Sequence, residues 1–181
     1  MTVAPSQRRH HGTVSVAPLI LTVALDEASQ SSFDELRRAH FPPARNHLAA
    51  HVTLFHALPG EDEAQVVEDV AAAARRPPLA IEVARVRSLG RGVAFDLSSP
   101  ALEDVRAHLA RRWAGRLSRQ DLAPFRPHVT VQNKVEPAQA RALLTELGRG
   151  FEPWTCTALG LSLWWYRGGP WEHLVTSPFR P

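Results

Sequence analysis

Two short segments combine a histidine and a threonine in the spacing of an extended strand. They are His51-Val52-Thr53-Leu54 and His128-Val129-Thr130-Val131. Because side chains at positions i and i+2 of a strand point to the same face, each segment predicts an imidazole beside a hydroxyl, with aliphatic side chains on the opposite face. Two such strands lying side by side would present two acid/base groups and two hydrogen-bond donors, a combination suited to phosphoryl transfer.

The pattern His-x-Thr is weak by itself, because the chain contains nine histidines. It also occurs at His11-Gly12-Thr13, which we interpret as a chance match in a polar N-terminal region. The two other copies share His-Val-Thr and an aliphatic fourth residue. The alternative interpretation of these copies is two ordinary half-buried strands without a chemical role.

The paired motifs, 77 residues apart, resemble those of the 2H phosphoesterase superfamily, and especially its 2′-5′ RNA ligase-like and cyclic phosphodiesterase group. The more specific match is the segment 125–135, and the other is the segment 50–55. The resemblance extends over residues 17–178. It implies acid/base roles for His51 and His128 and phosphate binding by Thr53 and Thr130. The implied reaction is hydrolysis of 2′,3′-cyclic phosphodiesters, or the related joining and cleavage of 2′-5′ RNA ends.

Two histidines suffice for this hydrolysis, because one can take a proton from water while the other gives one to the leaving ribose oxygen. We therefore expect no metal and no cofactor, and the expected partner is a nucleotide or an RNA end. The sequence does not distinguish the acid from the base. Lys134, the only lysine among 21 basic residues, would share the face of His128 if the strand continued, and could add a charge for phosphate. The alternative for Lys134 is a solvated strand end.

Other polar and aromatic residues near the motifs have simpler interpretations. Alternation places His56 on the face opposite His51, where it would be structural or exposed. We expect a core position for Phe55, a surface charge at Arg126, and a strand core and turn for the cluster Trp164-Trp165-Tyr166-Arg167. If one of these aromatic residues stacks on a nucleobase, Trp165 or Tyr166 is the candidate.

The elements that must position the motifs follow from periodicity and from Pro and Gly breaks. We predict strands at 18–25, 49–56, 79–87, 91–98, 128–133, 153–166 and 171–176, and helices at 26–40, 61–75, 100–116 and 137–148. The order strand, helix, motif strand, helix occurs in each half. This order suits a duplicated α+β fold, and the resemblance implies a bilobal, pseudo-symmetric form with two antiparallel sheets around a central cleft and helices outside.

Composition limits the function classes. The 181 residues allow one domain or two joined lobes, so we expect a flexible tail at 1–14 and a single bilobal domain at 15–181. The net charge of +3 suits an anionic ligand, and the single cysteine, Cys156, allows no intrachain disulfide. Without a membrane-length apolar run or a convincing signal peptide, we expect a cytoplasmic monomer.

Two other functions remain open at this point. One is a metal hydrolase that uses these histidines, although the chain has no H-E-x-x-H pair and no matching cluster of carboxylates. The other is a non-catalytic nucleotide- or RNA-binding module that keeps the cleft. The intact His and Thr of both motifs favour the enzyme.

Overall fold

Seven strands and four α-helices alternate along residues 16–181, the part of the chain that this computed structural model describes. The predicted tail and the segment His11-Gly12-Thr13 lie outside the described residues. The elements are β1 (Leu19–Leu25), α1 (Glu27–His40), β2 (Val52–Leu58), α2 (Glu63–Ala73), β3 (Leu79–Ser88), β4 (Val93–Ser98), α3 (Pro100–Arg112), β5 (His128–Gln132), α4 (Pro137–Gly148), β6 (Trp154–Trp165) and β7 (Glu172–Pro178). The short 3₁₀ helices Pro43–Arg45 and Gly60–Asp62 precede β2 and α2.

Local chemistry explains where the helices begin. The carboxylate of Asp26 caps α1 by accepting hydrogen bonds from the backbone N–H and the hydroxyl of Ser29, at 2.9 and 2.7 Å. The hydroxyl of Ser99 caps α3, whose first residue is Pro100. Every predicted strand and helix is present; the helix predicted at 137–148 has the predicted bounds, and the other elements have at least one shifted end. Helix α3, for example, ends at Arg112 instead of 116.

All strand pairings are antiparallel, and the order along the sheet is β2-β1-β6-β3-β4-β5, with β7 added beside β6. The predicted α+β class is confirmed, and the order β1-α1-β2-α2 recurs as β4-α3-β5-α4. The two lobes are joined through β6, whose first part pairs with β3 and whose last part pairs with β1 and β7. The lobes therefore share one curved sheet.

The terminal strands of this sheet order are β2 and β5, the two motif strands. They contact each other, so the sheet curls until its two ends nearly meet. The twist and coiling of the sheet can bring its two ends together. The fold thereby places the two motifs side by side.

One cluster of buried side chains extends through both lobes. Phe33 of α1 packs against Phe95 of β4, with ring centroids 5.7 Å apart, and Phe55 of β2 meets the edge of Trp113 at 5.0 Å. Each of these contacts joins an element of the first half to an element of the second half. Among the described residues, no helix is both long and apolar enough to cross a membrane.

Candidate active site

The histidine and threonine side chains of the two motifs face away from the core, as alternation predicts. Val52, Leu54, Val129 and Val131 are buried, whereas Thr53 and Thr130 are half-buried. His51 immediately precedes β2, and His128 is the first residue of β5. Because β2 and β5 contact each other, two imidazoles and two hydroxyls lie in the same region of the molecule.

Both imidazoles are held in the same way. Nδ1 of His51 lies 2.8 Å from the carbonyl oxygen of Ala49, and Nδ1 of His128 lies 2.8 Å from the carbonyl oxygen of Arg126. A carbonyl oxygen can only accept, so the hydrogen resides on Nδ1 in both rings. Nε2 of each ring therefore remains available for chemistry. In each motif the partner is the carbonyl two residues earlier, so the two halves of the site repeat each other.

Burial lowers the pKa of His51 below its usual value, and the positive charges of Arg37, His128 and His56 lower it further. The hydrogen bond to Ala49 opposes this shift without cancelling it. His51 therefore remains neutral at pH values where an exposed histidine begins to take a proton.

Two cavities adjoin the motif residues. The central cleft, about 150 Å³, lies between the motif strands and the loop before β5. Its lining includes Thr53, His56, Asp121, Arg126 and His128. Its size and polar lining suit one phosphoryl group with part of a sugar.

The aromatic cavity, about 450 Å³, is lined by His51, Trp164 and Trp171 together with Gln30, Asp34 and Ser162. The rings of His51 and Trp171 are 4.6 Å apart, and those of Trp164 and Trp171 are 6.4 Å apart. Two indole rings beside a candidate catalytic imidazole provide a surface on which a nucleobase can stack.

Buried arginines connect the two lobes behind the motifs. Arg37 of α1 donates to the carbonyl oxygens of Thr130, at 2.9 Å, and Leu48, at 3.0 Å. Arg106 of α3 donates to the carbonyl oxygens of Leu54, at 2.8 Å, and Asp121. Each arginine belongs to one half of the repeat and binds the motif strand of the other half. Together they fix the position of β2 relative to β5.

The expected location of His56 is corrected by the structure. Register shifts between β1 and β2 add an extra residue to β2 at Leu54, so Leu54 and the following Phe55 are both buried. This β-bulge reverses the alternation, and His56 is exposed on the same side as Thr53, where it lines the central cleft. Periodicity could not reveal this, because the bulge depends on pairing with β1.

Lys134 does not extend the motif face. Strand β5 ends at Gln132, and Lys134 follows in a bend with a φ of 61°. The strand on which Lys134 would share the face of His128 therefore stops short of it, but its side chain is exposed, and phosphate binding by Lys134 stays a prediction. A register shift against β4 adds a residue between Thr130 and Gln132, and Gln132 is buried.

The remaining expectations concern Phe55, Arg126 and the aromatic residues proposed to stack on a nucleobase. Phe55 occupies the core, as predicted, and Arg126 is exposed but also lines the central cleft. The stacking candidates Trp165 and Tyr166 do not line the aromatic cavity, since Trp165 is buried and Tyr166 points to solvent. Trp164 and Trp171 occupy that cavity instead. Trp171 follows a Gly-Gly-Pro turn, and nothing in its local pattern associates it with His51.

Comparison with known families identifies a family whose model matches most of the chain. The family model described as the 2′-5′ RNA ligase superfamily matches residues 25–170, which include both motifs. No curated protein matches the sequence.

Several solved structures have a similar fold at low sequence identity. The protein TT0787 of Thermus thermophilus has a TM-score of 0.62 and 16% identity, covering 90% of this chain and 98% of that chain. E. coli LigT in its apo form has a TM-score of 0.58 and 18% identity, covering 91% and 98%. A structure described as a phosphoesterase has a TM-score of 0.57 and 20% identity, covering 92% and 99%.

Proposed function

The chain belongs to the 2′-5′ RNA ligase superfamily, within the 2H phosphoesterases, and we propose that it hydrolyses 2′,3′-cyclic phosphodiesters of nucleotides or RNA ends without a metal ion. The observation that carries this proposal is the matched pair of imidazoles. His51 and His128 are each fixed through Nδ1, with Nε2 free, where β2 and β5 meet. One proton acceptor and one proton donor are what the ring opening of a cyclic phosphodiester by water requires.

In the proposed mechanism, His51 is the base, because burial favours its neutral form. Its Nε2 takes a proton from water as the water oxygen forms a bond to phosphorus. The bond from phosphorus to one ribose oxygen breaks, and protonated His128 gives its Nε2 proton to that oxygen. The product is a phosphomonoester that retains the other ribose–phosphorus bond. The same sequence with an RNA 5′-hydroxyl in place of water would form a 2′-5′ phosphodiester as the bond from phosphorus to the 3′-oxygen breaks, and its reverse would cleave that phosphodiester.

Thr53 and Thr130 are proposed to bind the non-bridging phosphoryl oxygens. Each shares the strand face of its motif histidine, and Thr53 lines the central cleft together with His128. Hydroxyl donors at these oxygens would stabilise the negative charge that develops in the transition state. Arg126, at the rim of the same cleft, adds a positive charge that favours an anionic substrate.

The aromatic cavity supports a nucleotide as the ligand. Trp171 lies against His51, so a base stacked there would be adjacent to a phosphate held in the central cleft. E. coli LigT, which shares the fold, has been crystallised with ATP, with 3′-AMP and with phosphate. These ligands combine the groups that the two cavities would receive.

The direct test is hydrolysis of the four 2′,3′-cyclic mononucleotides in EDTA by the wild type and by the variants His51→Ala and His128→Ala. We expect EDTA-resistant turnover and a fall in kcat of at least about 100-fold in each variant, as is usual for loss of an acid or a base. His108→Ala, at an exposed position of α3, is the matched control and should retain wild-type activity.

The other outcomes separate the alternatives. Nucleotide binding without turnover would favour a binding module, and activity that EDTA abolishes would favour a metal hydrolase. Activity that survives both substitutions would contradict the assignment of the two histidines.

A further inference from the structure

His56 and Asp121 form a pair at the wall of the central cleft. Nδ1 of His56 lies 3.2 Å from Oδ1 of Asp121, and the side chain of His56 is 45% exposed, whereas that of Asp121 is 1% exposed. The buried carboxylate also accepts hydrogen bonds from the backbone N–H groups of His56 and Ala57, at 2.8 and 3.0 Å, and from the hydroxyl of Ser118 at 2.8 Å. These contacts hold the imidazole in one orientation toward the cleft.

The carboxylate of Asp121 is ionised at neutral pH. Burial opposes its ionisation, but the hydrogen bonds from His56, Ser118 and Ala57 outweigh burial and lower the pKa to about 2. A carboxylate can only accept, so Nδ1 of His56 carries a hydrogen in both protonation states. Nε2 of His56 is then an acceptor when the ring is neutral and a donor only when the ring is protonated.

We propose that protonated His56 is a third phosphate-binding side chain, donating from Nε2 to the phosphoryl group of the substrate in the central cleft. Three observations carry this proposal: the bulge that turns His56 to the side of Thr53, the buried carboxylate on Nδ1, and the small cleft that His56 shares with Thr53 and His128. The identity of the substrate rests on the proposed phosphoesterase function.

The cleft is small enough that its occupant must contact several walls. At about 150 Å³, the cleft brings its occupant close to Thr53, His128 and His56, all three of which line it. A protonated imidazole backed by a carboxylate makes a strong, charge-assisted hydrogen bond to a phosphoryl oxygen. The β-bulge at Leu54 would then serve binding, since bulges commonly re-aim a side chain next to an active site.

Phosphate binding by protonated His56 would make the affinity for substrate depend on pH. The other charged and titratable groups around His56 are Asp121 from the loop before β5, Arg106 from α3, Arg126 at the rim, and the imidazoles of His51 and His128. The two arginines and Asp121 keep their charges between about pH 5 and pH 9. As the pH rises through the range in which His56 loses its proton, its Nε2 changes from a donor to an acceptor and turns from attracting to repelling a phosphate oxygen.

The test compares two substitutions of His56. One keeps a donor at the position of Nδ1 only, and the other places a donor at the position of Nε2. In His56→Asn, the short amide keeps a donor near Asp121 but removes the group at Nε2. In His56→Gln, an amide N–H can occupy the position of Nε2 and donate at every pH. His108→Asn, on the exposed surface of α3, is the matched control.

With 2′,3′-cyclic AMP, whose charge is constant over this range, we expect His56→Asn to raise KM about tenfold at about pH 6 and to change kcat little. As the pH rises, its KM should approach that of the wild type, because a neutral wild-type ring no longer donates from Nε2. His56→Gln should restore most of the affinity and remove its pH dependence. An unchanged KM in His56→Asn at the lower pH, or a loss confined to kcat, would overturn the proposal.

A binding measurement separates this proposal from the proposed activity. Sulfate keeps a constant charge over the same pH range, and its binding can be followed by calorimetry whether or not the wild type turns over a substrate. We expect wild-type affinity for sulfate to fall as pH rises, and this dependence to be weaker in His56→Asn than in His108→Asn. Identical pH profiles in the two variants would overturn the role of His56, whereas absence of wild-type turnover alone would overturn only the phosphoesterase assignment.

Discussion

The tautomer of each motif histidine is set locally, within a segment of three residues. Each imidazole binds the backbone carbonyl two positions earlier, so the extended chain that leads into each motif strand also selects the tautomer. No partner from a distant element is needed to keep Nε2 free. What distinguishes the two rings is their surroundings, because the half-buried His51 is close to positive charges and lies against Trp171.

The lowered pKa of His51 predicts the pH dependence of the reaction. If His51 is the base, kcat/KM should rise with pH through the pKa of His51 in the free enzyme, and this acidic limb should have its midpoint below about 6.5, the ordinary value for histidine. Burial disfavours the protonated ring, so the base stays active at lower pH than an exposed histidine would.

The measurement is kcat/KM for a 2′,3′-cyclic nucleotide across the acidic range, with circular dichroism at each pH to exclude unfolding. The chemical shifts of the His51 ring should titrate at the same midpoint as the kinetic limb. A limb centred at or above the ordinary value would indicate that His51 is not the base.

At the scale of elements, the site depends on two helices that each contact the motif strand of the opposite half. Arg37 extends from α1 to β5 and to the loop before β2, and Arg106 extends from α3 to β2 and to the loop before β5. Backbone carbonyls that accept these bonds are buried and need a donor. The register between the two motifs is therefore maintained by two arginines, of which Arg106 also lines the central cleft.

We expect Arg37→Met to lower the free energy of unfolding by about 2 kcal/mol, because the carbonyl oxygens of Thr130 and Leu48, in partly buried hydrogen bonds, lose charged donors while the apolar stem is retained. Urea denaturation measures the change. Arg38→Met, the exposed neighbour on the same helix, is the control and should differ from the wild type by about 0.5 kcal/mol or less. Equal effects of the two substitutions would show that the Arg37 contacts contribute nothing specific to stability.

At the scale of the whole molecule, the two lobes share strand β6 and one core. Leu79 of β3 and Leu25 of β1 both pair with Ala158 of β6, so the sheet of one lobe continues directly into the sheet of the other. Contacts such as Phe33 with Phe95 cross between the halves. Neither half can retain its sheet or its buried face when the other unfolds.

This sharing predicts a single cooperative unfolding transition. Tryptophan fluorescence and far-ultraviolet circular dichroism should give the same urea midpoint, and the calorimetric and van't Hoff enthalpies should agree. Tryptophans lie in both lobes, with Trp113 near α3 and Trp164 on β6 beside β1 and β7, so fluorescence reports on both. Two separated transitions would show that the lobes unfold independently.

The sequence by itself determined the elements, the face of each motif and the chemistry that the motif residues can perform. These are local properties: alternation of period two orients His51 and Thr53, and capping and proline residues set the helix ends. The expectation that the two motifs form one site came from the resemblance to a known family.

Only the tertiary structure decided how these parts meet. The contact between β2 and β5 depends on curvature accumulated along a whole sheet, the exposure of His56 depends on the register of β2 against β1, and the place of Trp171 depends on where the chain returns after β6. These arrangements arise between residues distant in sequence, and no local periodicity encodes them.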